Sequence, residues 1–306
     1  MKTCFLFPGQ GAQYPGMAKD FYETSSEVRR LFELASDAAR MDLKELLFES
    51  DEETLKQTRY TQIAVALAGS AAALAAREHG IVPHGCAGFS VGEWPALAEA
   101  GILSHFDMFR LVAERGRLMD EAGNRSGGST MSAVLSLSPE KIEQVIAEAG
   151  LQQCWIANYN SPSQCVISGT EHDIVIAEEK LRQAGAKRVI RLKVSGAFHS
   201  PLMRYAYEEF KGIVEEVTFM NPVLECFSNV TGKKITSGAE AKKLASEQII
   251  SPVRWIDEEA SILEAGYERC VETGPGTVLS GLWKSYTTSI PSIPAGTLDA
   301  IVSFSL

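Results

Sequence analysis

A chain of 306 residues with 45% hydrophobic and 22% charged residues has the balance of a globular protein able to bury a substantial core. Its net charge of −10 excludes the basic face that nucleic-acid binding requires. Six scattered cysteines with no C-x-x-C pair point to reduced buried thiols rather than disulfides or a zinc site.

No apolar stretch approaches the ~20 residues that span a bilayer, and the apolar run at the N-terminus is too short for a signal peptide. A cytoplasmic protein without a bound metal is expected. Cys4–Phe7, ended by Pro8-Gly9, reads as a buried strand. The loop Gly9-Gln10-Gly11-Ala12-Gln13 lacks the third glycine of G-x-G-x-x-G, so it is not a dinucleotide fingerprint. A helical region follows, and its last part, 61–79, is so rich in alanine, leucine, isoleucine and valine that it should be buried on most sides.

Ala87-Gly88-Phe89-Ser90-Val91-Gly92-Glu93 reads as a strand entering G-x-S-x-G and then a helix, the sequence form of a nucleophile elbow. The glycines relieve a turn too crowded for Cβ atoms, and the helix start aims free N–H groups at developing negative charge. Residues 109–122 form a helix with a solvated stripe at Arg110, Glu114, Arg117 and Glu121. Arg115 falls instead on the apolar row of Leu111 and Leu118; it either snorkels or is held inward for a ligand.

Residues 123–130 read as a linker. A strand at 131–137, a helix to Ala149, strands at 155–159 and 164–168, a helix at 171–184 and a strand at 188–194 then spell βαββαβ, the ferredoxin-like order. Beyond it, His199 lies on a loop opening a helix. A strand at 223–227, helices near 239–249 and 255–265, a strand at 269–272 and a helix after Gly274-Pro275-Gly276 complete the chain before a weak strand and a last helix capped by Thr297.

A serine nucleophile needs a base. Of five histidines, His79 and His84 bracket the entry to the elbow strand, and His105 and His172 sit in polar, helix-capping settings. His199, between Phe198 and Pro201 at a domain boundary, is either that base or a satisfied structural histidine. An oxyanion hole needs the N–H of Val91 and a second one; Gln10 in its glycine-rich loop fits, though the glycines could equally serve only to turn the chain.

The ordered set Phe-Pro-Gly-Gln-Gly-Ala-Gln (7–13), Gly-Phe-Ser-Val-Gly-Glu (88–93), Glu-Arg-Gly (114–116), Asn-Ser-Pro (160–162), Gly-Ala-Phe-His-Ser (196–200), Ser-Pro-Val-Arg-Trp (251–255) and Glu-Thr-Gly-Pro-Gly (272–276) resembles malonyl-CoA:acyl carrier protein transacylases and related polyketide-synthase acyltransferase domains. The resemblance implies Ser90 as nucleophile, His199 as base, Gln10 and Val91 as oxyanion donors and Arg115 as clamp for the malonyl carboxylate. It further implies that the backbone of Gln248 orients the histidine and that Gln62 and Asn160 line the pocket. Phe89 stands where most members have histidine, Pro95 falls just past the first turn of the elbow helix, and Ile63 follows Gln62 where proline is usual.

The expected fold is α/β. A large α/β-hydrolase-like (patatin-like) core with a parallel sheet takes residues 1–125 and 196–306, and a small ferredoxin-like βαββαβ subdomain takes 126–195. The expected partners are malonyl-CoA and an acyl carrier protein whose phosphopantetheine thiol accepts the acyl group, with no bound cofactor, no nucleic acid, no membrane and a monomeric state. A serine hydrolase or thioesterase of related fold, an acyltransferase for another acyl-CoA, and a non-catalytic carrier-binding module are the competing readings.

Overall fold

The structure is a computed structural model and describes residues 1–125 and 127–305. Among the described residues nine strands, β1 (Thr3–Phe7), β2 (Gly85–Gly88), β3 (Ser129–Leu135), β4 (Cys154–Ser161), β5 (Gln164–Thr170), β6 (Arg188–Arg191), β7 (Glu225–Cys226), β8 (Arg269–Glu272) and β9 (Ser292–Pro294), form two sheets. One has the order β7-β2-β1-β8-β9 with every pairing parallel. The chain is therefore an α/β protein built on a parallel sheet. Strands covered on both faces read as unbroken apolar runs, which is why Cys4–Phe7 is legible, whereas Arg269–Glu272 carries only Cys270-Val271 between charged ends.

The helix Thr58–Glu78 packs beside this sheet with buried residues on nearly every turn, from Thr61 and Gln62 to Ala76. Alanine lets it lie close: a Cβ on Gly69 would already stand 3.3 Å from the ring of Phe7. Among the described residues no helix is long and apolar enough to cross a membrane.

The second sheet is antiparallel, order β4-β5-β3-β6. Helices Pro139–Glu148 and Glu171–Gln183 cover one face, enclosing Val134, Ile142, Ile156, Ile167, Ile174 and Leu181. Met131, Ala157 and Val166 belong instead to the main core. The two sheets are joined by backbone: Tyr159 N–H donates to the Val253 carbonyl at 2.9 Å, and Val253 N–H to that of Ala157 at 2.8 Å.

Several elements differ from their expected bounds. The stretch 123–130 is not a linker. Gly123–Arg125 finish the helix His105–Arg125 and Ser129 opens β3, with Gly127 and Gly128 turning the chain at positive φ. Gly123 has a packing reason, since a Cβ there would lie 2.2 Å from the Ser195 carbonyl oxygen. β6 ends at Arg191 rather than residue 194, which frees Leu192 and Val194 to face a cavity. The strand expected over 223–227 shrinks to Glu225–Cys226: Val223 is exposed, and Phe227 leaves the sheet to bridge Lys234.

Gly123→Ala should therefore force the returning segment Ser195-Gly196 off the helix and cost ~1–3 kcal/mol. Chemical denaturation would register this as a lowered midpoint, and an unchanged midpoint would refute the close approach.

Candidate active site

The site begins where β2 ends. Ser90 sits at φ 53°, a left-handed conformation in which a side chain is strained. The turn leaves no space around it. A Cβ on Gly88 would fall 1.9 Å from the Gly92 carbonyl oxygen, and one on Gly92 would fall 2.1 Å from that of Phe7. Asn229 clamps the turn from outside: its Oδ1 accepts the Ser90 N–H at 2.7 Å, and its Nδ2 donates to the Gly88 carbonyl at 2.6 Å and to Glu258 at 2.7 Å.

The Ser90 hydroxyl points at His199, with Oγ 2.8 Å from Nε2. His199 is buried and, like Ser90, has positive φ, 56°. Its Nδ1 faces two carbonyls, Gln248 at 3.0 Å and Ser251 at 3.1 Å. Only a protonated Nδ1 can satisfy carbonyl oxygens, so Nε2 carries the lone pair and accepts from the serine. Burial first, and the nearby Arg115 cation second, hold the imidazole pKa down at about 4, against the pull of the two carbonyls. His199 is thus a neutral base at pH 7.

Arg115 is wholly buried on the helix His105–Arg125. Its Nη1 donates to Gln62 Oε1 at 2.6 Å; its Nη2 donates to Gln248 Oε1 at 2.9 Å and to Ser90 Oγ at 3.3 Å. Nε has no partner. Burial draws the guanidinium pKa down to about 9, which leaves it charged at neutral pH. A buried cation held only by neutral oxygens is poised to accept an anion.

Ser90, His199, Gln62, Gln10, Val91 and Phe89 line one cavity of about 100 Å³, together with Met119, Met131, Leu192, Val194 and Phe198. That is roughly the liquid share of three water molecules, room for a short acyl group only. Phe89 gives this cavity an aromatic wall and packs edge-on against Trp255 at 5.6 Å. A wider cleft of about 600 Å³ also reaches His199, walled by Trp155, Tyr159, Leu151 and Pro201.

One expected lining residue is displaced. Asn160 does not face the cavity; Asn158 does. β4 carries register shifts at Ile156/Asn158 and Tyr159/Ser161, so Asn160 is the extra residue of a bulge. Three residues that the sequence reading passed over also enter the site. Asn229 lay just past the expected strand 223–227 with no reading of its own, and Glu93 and Ser251 were quoted in the motifs 88–93 and 251–255 without a role. A glutamate heading the apolar run Trp94–Ala98 was the available signal for Glu93.

Residues 4–293 match the family model of the acyl transferase domain. The chain belongs to that family. This acyltransferase is 38% identical over 304 residues to a malonyl CoA-acyl carrier protein transacylase of Bacillus subtilis (strain 168), covering 98% of this chain and 95% of that protein. It superposes on the malonyl CoA-acyl carrier protein transacylase of Coxiella burnetii with a TM-score of 0.95 at 31% identity, covering 99% and 96% of the two chains. A malonyl-transacylase solved in complex with its type II PKS acyl-carrier protein gives a TM-score of 0.94 at 32% identity, with 99% and 98% covered.

The depressed histidine makes a pH prediction for this acyltransferase. The base works only when neutral, so serine acylation should hold its rate as pH falls and lose half of it near pH 4. Single-turnover acylation after a rapid pH jump would read this directly, and an acid limb at the ordinary histidine pKa of about 6.5 would refute the buried, cation-flanked base.

Proposed function

We propose that this acyltransferase carries the malonyl group from malonyl-CoA to the phosphopantetheine thiol of an acyl carrier protein through an ester on Ser90. The observation that carries this reading is one oxygen with two partners. Ser90 Oγ lies 2.8 Å from a neutral imidazole and 3.3 Å from a buried guanidinium, at the wall of a cavity sized for a short acyl group.

In the first half-reaction, Oγ attacks the thioester carbonyl as its proton passes to His199 Nε2. The oxyanion turns toward the N–H groups of Val91 and Gln10, both at the cavity wall. Collapse breaks the C–S bond, and His199 returns the proton to the departing CoA sulfur. In the second half, the carrier's thiol gives its proton to His199, its sulfur attacks the ester, and Ser90 leaves with that proton. The imidazolium formed in each half is oriented by the Gln248 and Ser251 carbonyls rather than by a carboxylate.

Arg115 takes the malonyl carboxylate, exchanging its bonds to Gln62 or Gln248 for charge-assisted ones. The 600 Å³ cleft that shares His199 takes the pantetheine arm. A small, water-poor acyl cavity protects the ester until the thiol arrives.

We read the chain as a core of 1–125 and 196–306 with an inserted unit of 126–195. The all-parallel sheet and its strand-turn-helix serine support an α/β-hydrolase-like, patatin-like core. The βαββαβ order with strand order β4-β5-β3-β6 supports a ferredoxin-like insert. A cytoplasmic monomer needing no resident cofactor completes the reading.

Incubation with malonyl-CoA should add ~86 Da, one malonyl ester, to the intact mass, and Ser90→Ala should abolish the adduct. Free malonate released with no adduct would instead mark a hydrolase. Arg115→Ala should cut the preference for malonyl over acetyl thioesters by ~100-fold or more; competition between the two thioesters, scored by mass, reads the ratio. A variant that kept the parent preference would remove Arg115 from the clamp.

A further inference from the structure

Behind the reactive serine lies a charge that acyl transfer itself does not use. Glu93, first residue of the helix Glu93–Glu99, is buried. Its carboxylate accepts from Gln248 Nε2, and the neighbouring Asn229 backbone N–H and Ser228 hydroxyl also favour its charged form against the burial that opposes it. The same Gln248 carboxamide holds Arg115 Nη2 on its oxygen at 2.9 Å. One amide therefore joins a buried anion to a buried cation.

The neighbouring titratable groups leave this pair as the charges of the interior. Glu258, from the helix Trp255–Glu264, is pushed well up by burial and then by Glu93 itself, and its Oε2 has no hydrogen-bond partner among the described residues, so Glu93 is the better placed of the two to carry charge. Cys226 on β7 and Cys86 on β2 are raised and neutral, and His199 is neutral. Among the described residues, Arg115 hydrogen-bonds to Gln62, Gln248 and Ser90, none of them charged.

We infer that Glu93 is the resident counter-ion of Arg115, acting through the Gln248 carboxamide. When an acyl carboxylate reaches the guanidinium, Glu93 takes a proton from solvent, so that loading a carboxylate-bearing acyl group is coupled to proton uptake. The inference rests on the reading that Arg115 receives that carboxylate. Two anions cannot share one cation in a buried, weakly polarisable site without one of them being neutralised. The substrate carboxylate, in direct contact with the guanidinium, keeps its charge, and the carboxyl one amide away gives its charge up. The Ser228 hydroxyl can reverse from donor to acceptor to receive the new O–H.

Burial already lifts Glu93 to about 7, so uptake needs only a modest further rise. The transfer step itself adds no proton, because the serine's proton leaves on the thiol. Glu93 is a positioning residue: it touches no substrate atom and sets the charge that the substrate must displace.

The test uses the whole protein in weak buffer at about pH 7.5, mixed with malonyl-CoA while an indicator dye follows protons and intact mass follows the ester. A substantial fraction of a proton should be taken up per ester formed, and none with acetyl-CoA. Glu93→Gln should form the malonyl ester without uptake. In steady state, KM for malonyl-CoA should climb by up to about tenfold per pH unit above neutrality in the parent and stay flat in Glu93→Gln.

Ester formation without uptake, or uptake that persists in Glu93→Gln, overturns the inference while the malonyl reading stands. Equal uptake with malonyl and acetyl thioesters overturns it with the parent protein alone, whatever the variant's stability. Absence of any ester on Ser90 overturns both.

Discussion

An arginine sealed in the interior without a direct carboxylate partner is the constraint on which the rest of this site depends. Removing a guanidinium from water costs several kcal/mol unless its donors are matched, and here two glutamine oxygens and a serine hydroxyl match donors on Nη1 and Nη2 while Nε stays unmatched. The Arg115 cation helps hold His199 neutral, while the hydrogen bond from Nη2 to Ser90 Oγ favours the oxygen that must become nucleophilic. Much of the polar architecture around the site, from Gln62 on one helix to Gln248 at the end of another, exists to make that charge tolerable. The same desolvation makes the site favourable to an anion.

The second constraint is spatial. The elbow turn is packed so closely against the ends of β1 and β2 that its glycines cannot be replaced without moving backbone, and Asn229 holds both sides of the turn. Strain at Ser90 is sustained by its surroundings, which keep the hydroxyl aimed at the histidine before any substrate arrives.

How much of this was legible depended on the kind of signal. A buried parallel strand announces itself as an apolar run, so β1 was readable to within a residue, whereas β7 exists only by pairing with β2 and left a weak trace. Arg115 was visible as a charge on a leucine row, and Ser90 as the centre of a glycine-flanked turn. The position of Asn160 was not readable, because one extra residue in β4 changes which asparagine faces the cavity. Gly123 looked like linker composition when it marks a close backbone approach. Asn229 was hidden because burial of a polar side chain is decided by tertiary packing, and the local hint for Glu93 was no more than the apolar run it heads.

The backbone stitch between β4 and Val253 carries a mechanical meaning. The carbonyls that orient His199 belong to Gln248 and Ser251, and the chain two residues beyond Ser251 is bonded to the antiparallel sheet through Ala157 and Tyr159. Asn158, between those two, stands at the cavity wall. The antiparallel sheet is thus tied to the tether of His199, and a displacement of that sheet large enough to widen the cleft would pull on the carbonyls that fix the imidazole.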